Sequence, residues 1–472
     1  MSNLLSNLAF IFVVVMVFNF IIFIHELGHF WAARWRGMQV DRFQIWFGKP
    51  LWKKTINGVQ YGLGSIPFGG FVSLPQMAPM ESIEGQTVAE GGAAPAEMPP
   101  ITPLDKIIVA LAGPVFSFLL AAACAVVVSK AGLLKLPPNA PEIGYVQPGS
   151  PAAEAGLQVG DVITQIAGET PKSFDGNFDA VVTMIALSGG EKIPMTVLRD
   201  GQEVSLESGY RIPEKKVALA RKGMREIGIG PKEEIYVGSV MAHSPAALAG
   251  LQVGDQIVAI NGTPIQSFAA LADATKGAES TLNYSYMRDG ATYSAQILPR
   301  TPDVPTDYGK KMIGITYLPA QKSDLYREHP TVGAQLAEAG TFMWRSIKAV
   351  ANPKTSIGVE HMSGPIGMGT SMFNILRTEG GIVRLIWFLV MINVNLAIFN
   401  MLPFPVLDGG HIVMATGEWI TGRQLPMKIL EKVQAGFVMV IMSLFLYITL
   451  KDAVDLVTPR AKPQEVKFLP PQ

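Results

Sequence analysis

The sequence contains little cysteine and little charge. It has one cysteine, Cys124, among 472 residues, which excludes an intramolecular disulfide framework and any zinc or iron–sulfur site built from several cysteines. Its 38 basic and 38 acidic residues balance, so it lacks the positive excess that is typical of nucleic-acid binding. Only 16% of the residues are charged, whereas 49% are hydrophobic. This composition predicts a membrane protein rather than an ordinary soluble enzyme.

Four apolar runs are long enough to cross about 30 Å of hydrocarbon. They are Leu8 to Ile24, Ile107 to Val128, Leu385 to Leu402 and Ala435 to Leu450. No basic residue precedes the first run, but Arg34, Arg36 and further basic residues follow it. Because basic residues favour the cytoplasmic side, the stretch between the second and third runs is expected on the outer face, the periplasm of a bacterium.

The long stretch between the second and third runs contains a repeat. Residues 150–168 and 244–262 share 14 of 19 positions at an offset of 94 residues, which predicts two copies of one small domain. Each copy has a Ser-Pro helix start, a Gly-Asp turn and an alternating strand. The segments resemble PDZ domains, each preceded by a strand that could form a peptide groove, Ile143 to Val146 and Tyr236 to Val240.

The predicted fold is an α-helical polytopic membrane protein with four transmembrane helices, a small membrane-associated β-hairpin or sheet, and two periplasmic PDZ domains of mixed α/β structure. The sheet is predicted from an Asn-Gly hairpin turn at 57–58 and a strand at 66–72. The predicted segments are 1–36 (first membrane helix), 37–75 (β element), 76–104 (flexible loop), 105–131 (second membrane helix), 137–225 and 226–320 (PDZ domains), 328–380 (periplasmic amphipathic helices), 383–420 (third membrane region), 433–452 (fourth membrane helix) and 453–472 (tail).

A metal-binding motif stands at the inner end of the first apolar run. It reads His25-Glu26-Leu27-Gly28-His29, in a chain that has only six histidines. On a helix His25 and His29 are one turn apart, so that both can bind one zinc ion while Glu26 reaches a water molecule. The alternative is that both histidines only hydrogen-bond to neighbouring helices, although unpaired polar groups inside a membrane are costly.

Zinc held by two histidines needs a third protein ligand. Asp408 follows a proline-broken apolar stretch and precedes Gly409-Gly410, so it can project from a helix end into the bundle. Its alternative role is that of a helix N-cap. His411, one turn further on, is a rival ligand or a packing residue.

Together these motifs resemble the site-2 protease family of intramembrane zinc metalloproteases. The resemblance rests on HELGH in the first run, Leu407-Asp408-Gly409 in a later one, and the repeats between the second and third runs. It implies one catalytic Zn²⁺ with His25, His29 and Asp408 as ligands, and Glu26 as the catalytic base.

The resemblance also implies a set of substrate-binding residues. Asn395 and Asn400 match asparagines that hold the substrate in the family, although a role in helix–helix hydrogen bonds is equally consistent with their spacing. Gly69, Gly70 and Phe71 match a membrane-embedded strand that contacts substrate. Ser117 stands where relatives often have asparagine, and no substrate role is assigned to it.

The predicted function is cleavage of the transmembrane segment of a pre-trimmed single-span protein, such as an anti-sigma factor or a signal-peptide remnant, in a bacterial inner membrane. The active site is expected near the cytoplasmic side, and the lipid bilayer is the other expected partner. Two alternatives remain open from the sequence: a membrane-anchored PDZ scaffold that binds peptide C-termini, and a metal transporter that uses the same ligands.

Overall fold

We describe the protein from a computed structural model, which covers residues 2–77, 100–135, 137–176, 179–213, 223–304, 309–318, 325–423, 427–457 and 466–470. Most of the predicted loop 76–104 and about half of the tail 453–472 lie outside these residues. The chain divides into two compact units. The membrane unit comprises Met1–Leu133, Glu328–Trp344 and Ser363–Ala453, and the repeat unit comprises Leu134–Arg327, Arg345–Met362 and Val454–Gln472.

The helices and strands of the described residues are numbered in chain order. The helices are α1 (Ser2–Trp35), α2 (Pro103–Ala131), α3 (Pro151–Glu154), α4 (Val181–Leu187), α5 (Pro245–Leu248), α6 (Phe268–Lys276), α7 (Val332–Ala351), α8 (Pro365–Leu376), α9 (Gly381–Asn400), α10 (Asp408–Thr421) and α11 (Met427–Val457). The strands are β1 (Arg42–Phe47), β2 (Trp52–Ile56), β3 (Val59–Leu63), β4 (Ile66–Ser73), β5 (Leu133–Lys135), β6 (Ile143–Val146), β7 (Val162–Ile166), β8 (Ile193–Arg199), β9 (Gln202–Ser208), β10 (Ile229–Pro231), β11 (Ile235–Val240), β12 (Gln256–Ile260), β13 (Thr263–Pro264), β14 (Leu282–Arg288), β15 (Ala291–Ile297), β16 (Ile315–Leu318) and β17 (Tyr326–Glu328).

Four helices of the described chain are long and apolar enough to cross a membrane, judged by length and composition. They span Leu8–Trp35, Pro103–Ala131, Gly381–Asn400 and Lys432–Leu456. The four predicted apolar runs are thereby found as helices, and the fourth is longer than its sequence run. The predicted third region, 383–420, comprises the two helices α9 and α10, because Pro403 and Pro405 interrupt the helical hydrogen bonding between them.

The membrane unit also holds a four-stranded sheet in the order β2-β3-β1-β4. The predicted turn joins β2 to β3, and both Asn57 (φ 49°) and Gly58 (φ 81°) have the positive φ that a type I′ turn requires. Strand β4 pairs antiparallel with β1 and lies at an edge of the sheet. Residues 66–72, predicted as a strand, therefore lie at the edge of a four-stranded sheet.

Close packing of α1, α2 and the sheet forms the core of the membrane unit. Buried Ala33 of α1, Val109 of α2 and Phe43 of β1 belong to one apolar cluster. A Cβ added to Gly28 would lie 2.5 Å from the carbonyl oxygen of Ala112, so glycine is what allows α1 to approach α2 this closely. The helix that carries the histidines is thus fixed against its neighbour.

The repeat unit contains two copies of one arrangement. Ser150 and Ser244 cap the short helices α3 and α5 through their side chains. Asp161 pairs with Arg199 in the first copy and Asp255 with Arg288 in the second, each with N–O contacts of 2.7 Å. The duplication predicted from the sequence is therefore also a duplication of structure, while the number of PDZ domains and their periplasmic placement remain predictions.

Strand pairing in the structure bears on two details of the predicted repeats. The strands expected to form peptide grooves are already paired along part of both edges. Strand β11 pairs with β16 on one side and, at its first residues, with β12 on the other. Strand β6 pairs with β10, and its Ile143 also exchanges hydrogen bonds with Gly160 and Asp161. In addition, β10 pairs with β6 across the predicted boundary at 225. The sequence marks strands by alternation but does not reveal which strand becomes the edge of a sheet.

Candidate metal centre

Helix α1 places both motif histidines on one face. The Nε2 atoms of His25 and His29 are 3.3 Å apart, and His25 is buried. Glu26 follows His25 and is half-buried. The backbone of Val72 in β4 lies close to the Glu26 carboxyl group, and both residues line one cavity. The catalytic candidate therefore lies between the histidine pair and the edge strand.

Asp408 reaches the two histidines from the first residue of α10. Its Oδ2 lies 3.3 Å from Nε2 of His25, and its Oδ1 lies 3.4 Å from Nε2 of His29. The prolines before it end α9, and α10 then begins with Asp408 in its first turn. Glycine is required next to it, since a Cβ on Gly409 would lie 2.3 Å from the carbonyl oxygen of Met401.

These atoms fit the geometry of zinc. Ligand atoms that bind tetrahedral zinc at about 2.0–2.1 Å stand about 3.3 Å from one another, which is the spacing of the three side chains here. Within the described chain, His25, His29 and Asp408 are the group of potential ligands close enough to share one metal ion. His411 is buried nearby but does not belong to this group, so the geometry favours Asp408 over its rival.

Contacts on the far side of each imidazole orient the two histidines. The Nδ1 of His29 donates to the carbonyl oxygen of Val109 at 2.8 Å, and Nδ1 of His25 lies 2.9 Å from the Ser117 hydroxyl oxygen. Both partners belong to α2. Such contacts leave Nε2 free for a metal ion and fix the ring, so the surroundings of the histidines also suit zinc.

Position 113 of α2 must be glycine for both histidine rings to fit beside it. A Cβ at this position would lie 2.2 Å from Nε2 of His29 and 2.8 Å from Nε2 of His25. Neither Gly113 nor Ser117 is assigned a role at the metal centre from the sequence. The spacing of residues along the sequence does not indicate which residues of α1 and α2 are in contact.

A cavity of about 950 Å³ opens beside these residues. Its lining residues come from α1, the sheet, α10, α11 and the end of α9: His25, Glu26, His29, Arg42, Gln44, Phe47, Gly48, Lys49, Pro50, Gly70, Phe71, Val72, Ser73, Leu74, Met77, Asn400, Val406, Leu407, Asp408, His411, Gln434, Val438 and Met442. Among the described strands β4 pairs with β1 alone, and four consecutive residues of β4, from Gly70 to Ser73, line the cavity. The unpaired edge of β4 therefore faces this cavity.

The predicted substrate-binding residues are distributed unevenly around the cavity. Asn400, Gly70 and Phe71 line it, and the Asn400 amide nitrogen is 3.2 Å from Nε2 of His25. Asn395 and Gly69 are not part of the lining. Gly69 has a φ of 82°, and a Cβ there would lie 1.9 Å from the Phe47 ring, so it occupies a tightly packed irregularity of β4, where the pairing with β1 shifts register.

Comparison with known proteins connects this geometry to a family. The model of peptidase family M50 matches residues 12–444. The chain is 31% identical over 432 residues to a Neisseria meningitidis protein named as a zinc metalloprotease, covering 89% of this chain and 92% of that protein. It is 29% identical over 452 residues to the regulator of sigma E protease of Salmonella typhi, with the same two coverages. A protease named RseP from Yersinia pestis is 29% identical over 449 residues.

Proposed function

The chain belongs to peptidase family M50, the site-2 type of zinc metalloprotease, and from this premise we propose that it cleaves the membrane-spanning segment of a single-span protein. The resemblance and the enzyme class predicted from the sequence are confirmed. The roles of individual residues, the presence of one ion rather than two, and the identity of the substrate are parts of the proposal.

The observation that carries the proposal is the triangle of His25, His29 and Asp408 atoms at zinc spacing, next to Glu26 in one cavity. Zinc at these ligands supplies Lewis-acid activation of water and of the scissile carbonyl. Glu26 accepts a proton from the attacking water and delivers it to the leaving amine. Neutral imidazoles and one carboxylate hold a single divalent ion, and no fourth protein ligand is needed.

A helical substrate must be unwound before its carbonyl groups are accessible. In hydrocarbon, each backbone group freed in this way needs a new hydrogen-bond partner. The free edge of β4 provides such partners if the substrate adds to it as a further strand, with Gly70 and Phe71 beside the cavity. Asn400 lies near the scissile position through its contact with His25. Asn395 and Gly69 would act on the substrate only from outside the cavity.

The names of the relatives guide the choice of substrate. Two of them are described as regulators of sigma E or RseP proteases, so a pre-trimmed anti-sigma factor is the first candidate and a signal-peptide remnant is the second. The four apolar helices fit a multi-pass inner-membrane protein. The pattern of basic residues favours a cytoplasmic-side active site and periplasmic repeats, which filter substrates by size or bind peptide C-termini.

Comparison of the wild type with Glu26→Gln tests the proposal. Purified proteins in detergent are given a trimmed single-span substrate, and zinc content is measured on the same samples. We expect cleavage by the wild type, loss of at least about a hundredfold in rate for Glu26→Gln because its proton acceptor is gone, and zinc in both. Equal cleavage by both proteins would indicate a contaminating protease and would favour the scaffold alternative.

A further inference from the structure

The catalytic cavity contains two cations that the proposed mechanism does not use. Arg42 of β1 and Lys49, shortly after β1, both line it. Arg42 is half-buried and Lys49 is exposed. Neither forms an ion pair or a side-chain hydrogen bond with another residue in the part of the chain that the structure describes. A half-buried guanidinium group without a counterion favours the binding of an anion.

The other charges of the cavity are already balanced. Glu26 and Asp408 are its two acidic lining residues, and their two negative charges offset a divalent zinc ion. The histidine ligands bind as neutral imidazoles, and His411 adds no negative charge. Arg42 and Lys49 therefore give the zinc-loaded cavity a net positive charge, which attracts an anionic group.

The register of the sheet shows where that anionic group would lie. Arg42 is paired directly with Ser73 of β4, and both residues line the cavity. Directly opposed residues point to the same face of a sheet. A strand added to the free edge of β4 would lie about 10 Å from β1, and the small Ser73 side chain between them leaves space for an arginine and a carboxylate to meet.

We propose that Arg42 binds an acidic side chain of the substrate and so creates a preference for Asp or Glu at one position near the cleavage site. This inference rests on the proposed function. Lys49 lies beyond the end of β1 opposite Arg42, so it adds to the positive charge of the cavity without contacting the same carboxylate.

The test is a set of matched substrates and variants of the full-length enzyme. A single Asp, Asn or Lys is placed at each successive position on both sides of the cleavage site, and the ratios of kcat/KM for Asp over Asn and for Lys over Asn are measured. The enzymes are wild type, Arg42→Gln, Arg42→Lys, Arg42→Glu and, as a control from outside the cavity, Lys54→Gln on the exposed strand β2. Zinc content is measured for each to confirm that the site is intact.

At one position the wild type should prefer Asp by about tenfold, as for a charge-assisted hydrogen bond of ordinary strength. The ratio should fall to near one in Arg42→Gln and persist in Arg42→Lys and Lys54→Gln. Arg42→Glu should instead prefer Lys at that position. This reversal is a readout that loss of packing does not produce.

Three outcomes would overturn the inference. The first is the absence of an Asp preference at every position, and the second is its persistence in Arg42→Gln. The third is a cleavage rate that changes with added anionic phospholipid in the wild type but not in Arg42→Gln, and that does not depend on the acidic residue of the substrate. The last outcome would assign the cations to a lipid headgroup. Zinc-dependent cleavage without an acid preference would contradict only this inference, whereas absence of zinc-dependent cleavage for every substrate would contradict the proposed function.

Discussion

At the scale of single residues, the metal centre depends on the groups that hold the ligands in place as much as on the ligands themselves. Val109 and Ser117 of α2 contact the two Nδ1 atoms, and Gly113 leaves room for both rings. The carbonyl group of Val109 cannot be removed by substitution. The Ser117 hydroxyl group is therefore the contact that mutation can test.

Replacing Ser117 by alanine should weaken zinc binding by about tenfold to a hundredfold, the usual cost of losing a group that orients a ligand. The expected change is lower zinc occupancy in competition with a chelator, with cleavage restored at high zinc concentration. Ser371→Ala is a matched control, because that hydroxyl group bonds within α8 to Gly367. Unchanged zinc affinity in Ser117→Ala would show that the ring of His25 is fixed by packing alone.

At the scale of elements, ion pairs hold the helices that carry the ligands. Lys106 of α2 and Glu418 of α10 form an ion pair of 2.7 Å, and both side chains are less than a fifth exposed. Arg36, at the end of α1, pairs with Asp105 of α2, whose carboxylate also completes a capping box with Thr102. Helix α2 is thus tied to both of the helices that supply metal ligands.

Reversing the Lys106–Glu418 pair tests whether it positions α10 and thereby Asp408. Lys106→Glu should lower the free energy of unfolding by about 1–3 kcal/mol, between the values for exposed and buried pairs, and should reduce zinc occupancy. The double variant Lys106→Glu/Glu418→Lys should recover both. Thermal unfolding and zinc content in the same detergent provide the measurements. If the double variant is no better than the single one, the pair does not position α10.

The helices and strands that could be predicted from the sequence are those with local signals. Periodicity and length identified the apolar helices, and Asn57-Gly58 identified a hairpin, because these signals are local. The motif around His25 was equally clear, since one helical turn fixes the spacing of its histidines. The meeting of Asp408 with them, and the contact between Ser117 and His25, depend on packing between distant segments, which one sequence does not encode in any local pattern.

At the scale of the whole molecule, the residues of the metal centre and the two repeats belong to different compact units. The metal ligands, Glu26 and all residues that line the cavity belong to the membrane unit. The two repeats are inserted in the chain between α2 and α9, and the described part of their unit contributes no residue to the metal group. We therefore expect the repeats to influence which substrate is cleaved rather than the cleavage step itself.

Deletion of residues 145 to 318 tests this division. If the repeats exclude substrates that still carry a bulky outer domain, the shortened protein should cleave an untrimmed single-span substrate that the intact protein rejects, because the inserted folded domains no longer compete for the space around it. Cleavage of both substrates and zinc content are measured for each protein, and Glu26→Gln in the shortened chain controls for other proteases. A shortened protein that cleaves the trimmed substrate but still rejects the untrimmed one would contradict the size filter and would assign the selection to the membrane unit itself.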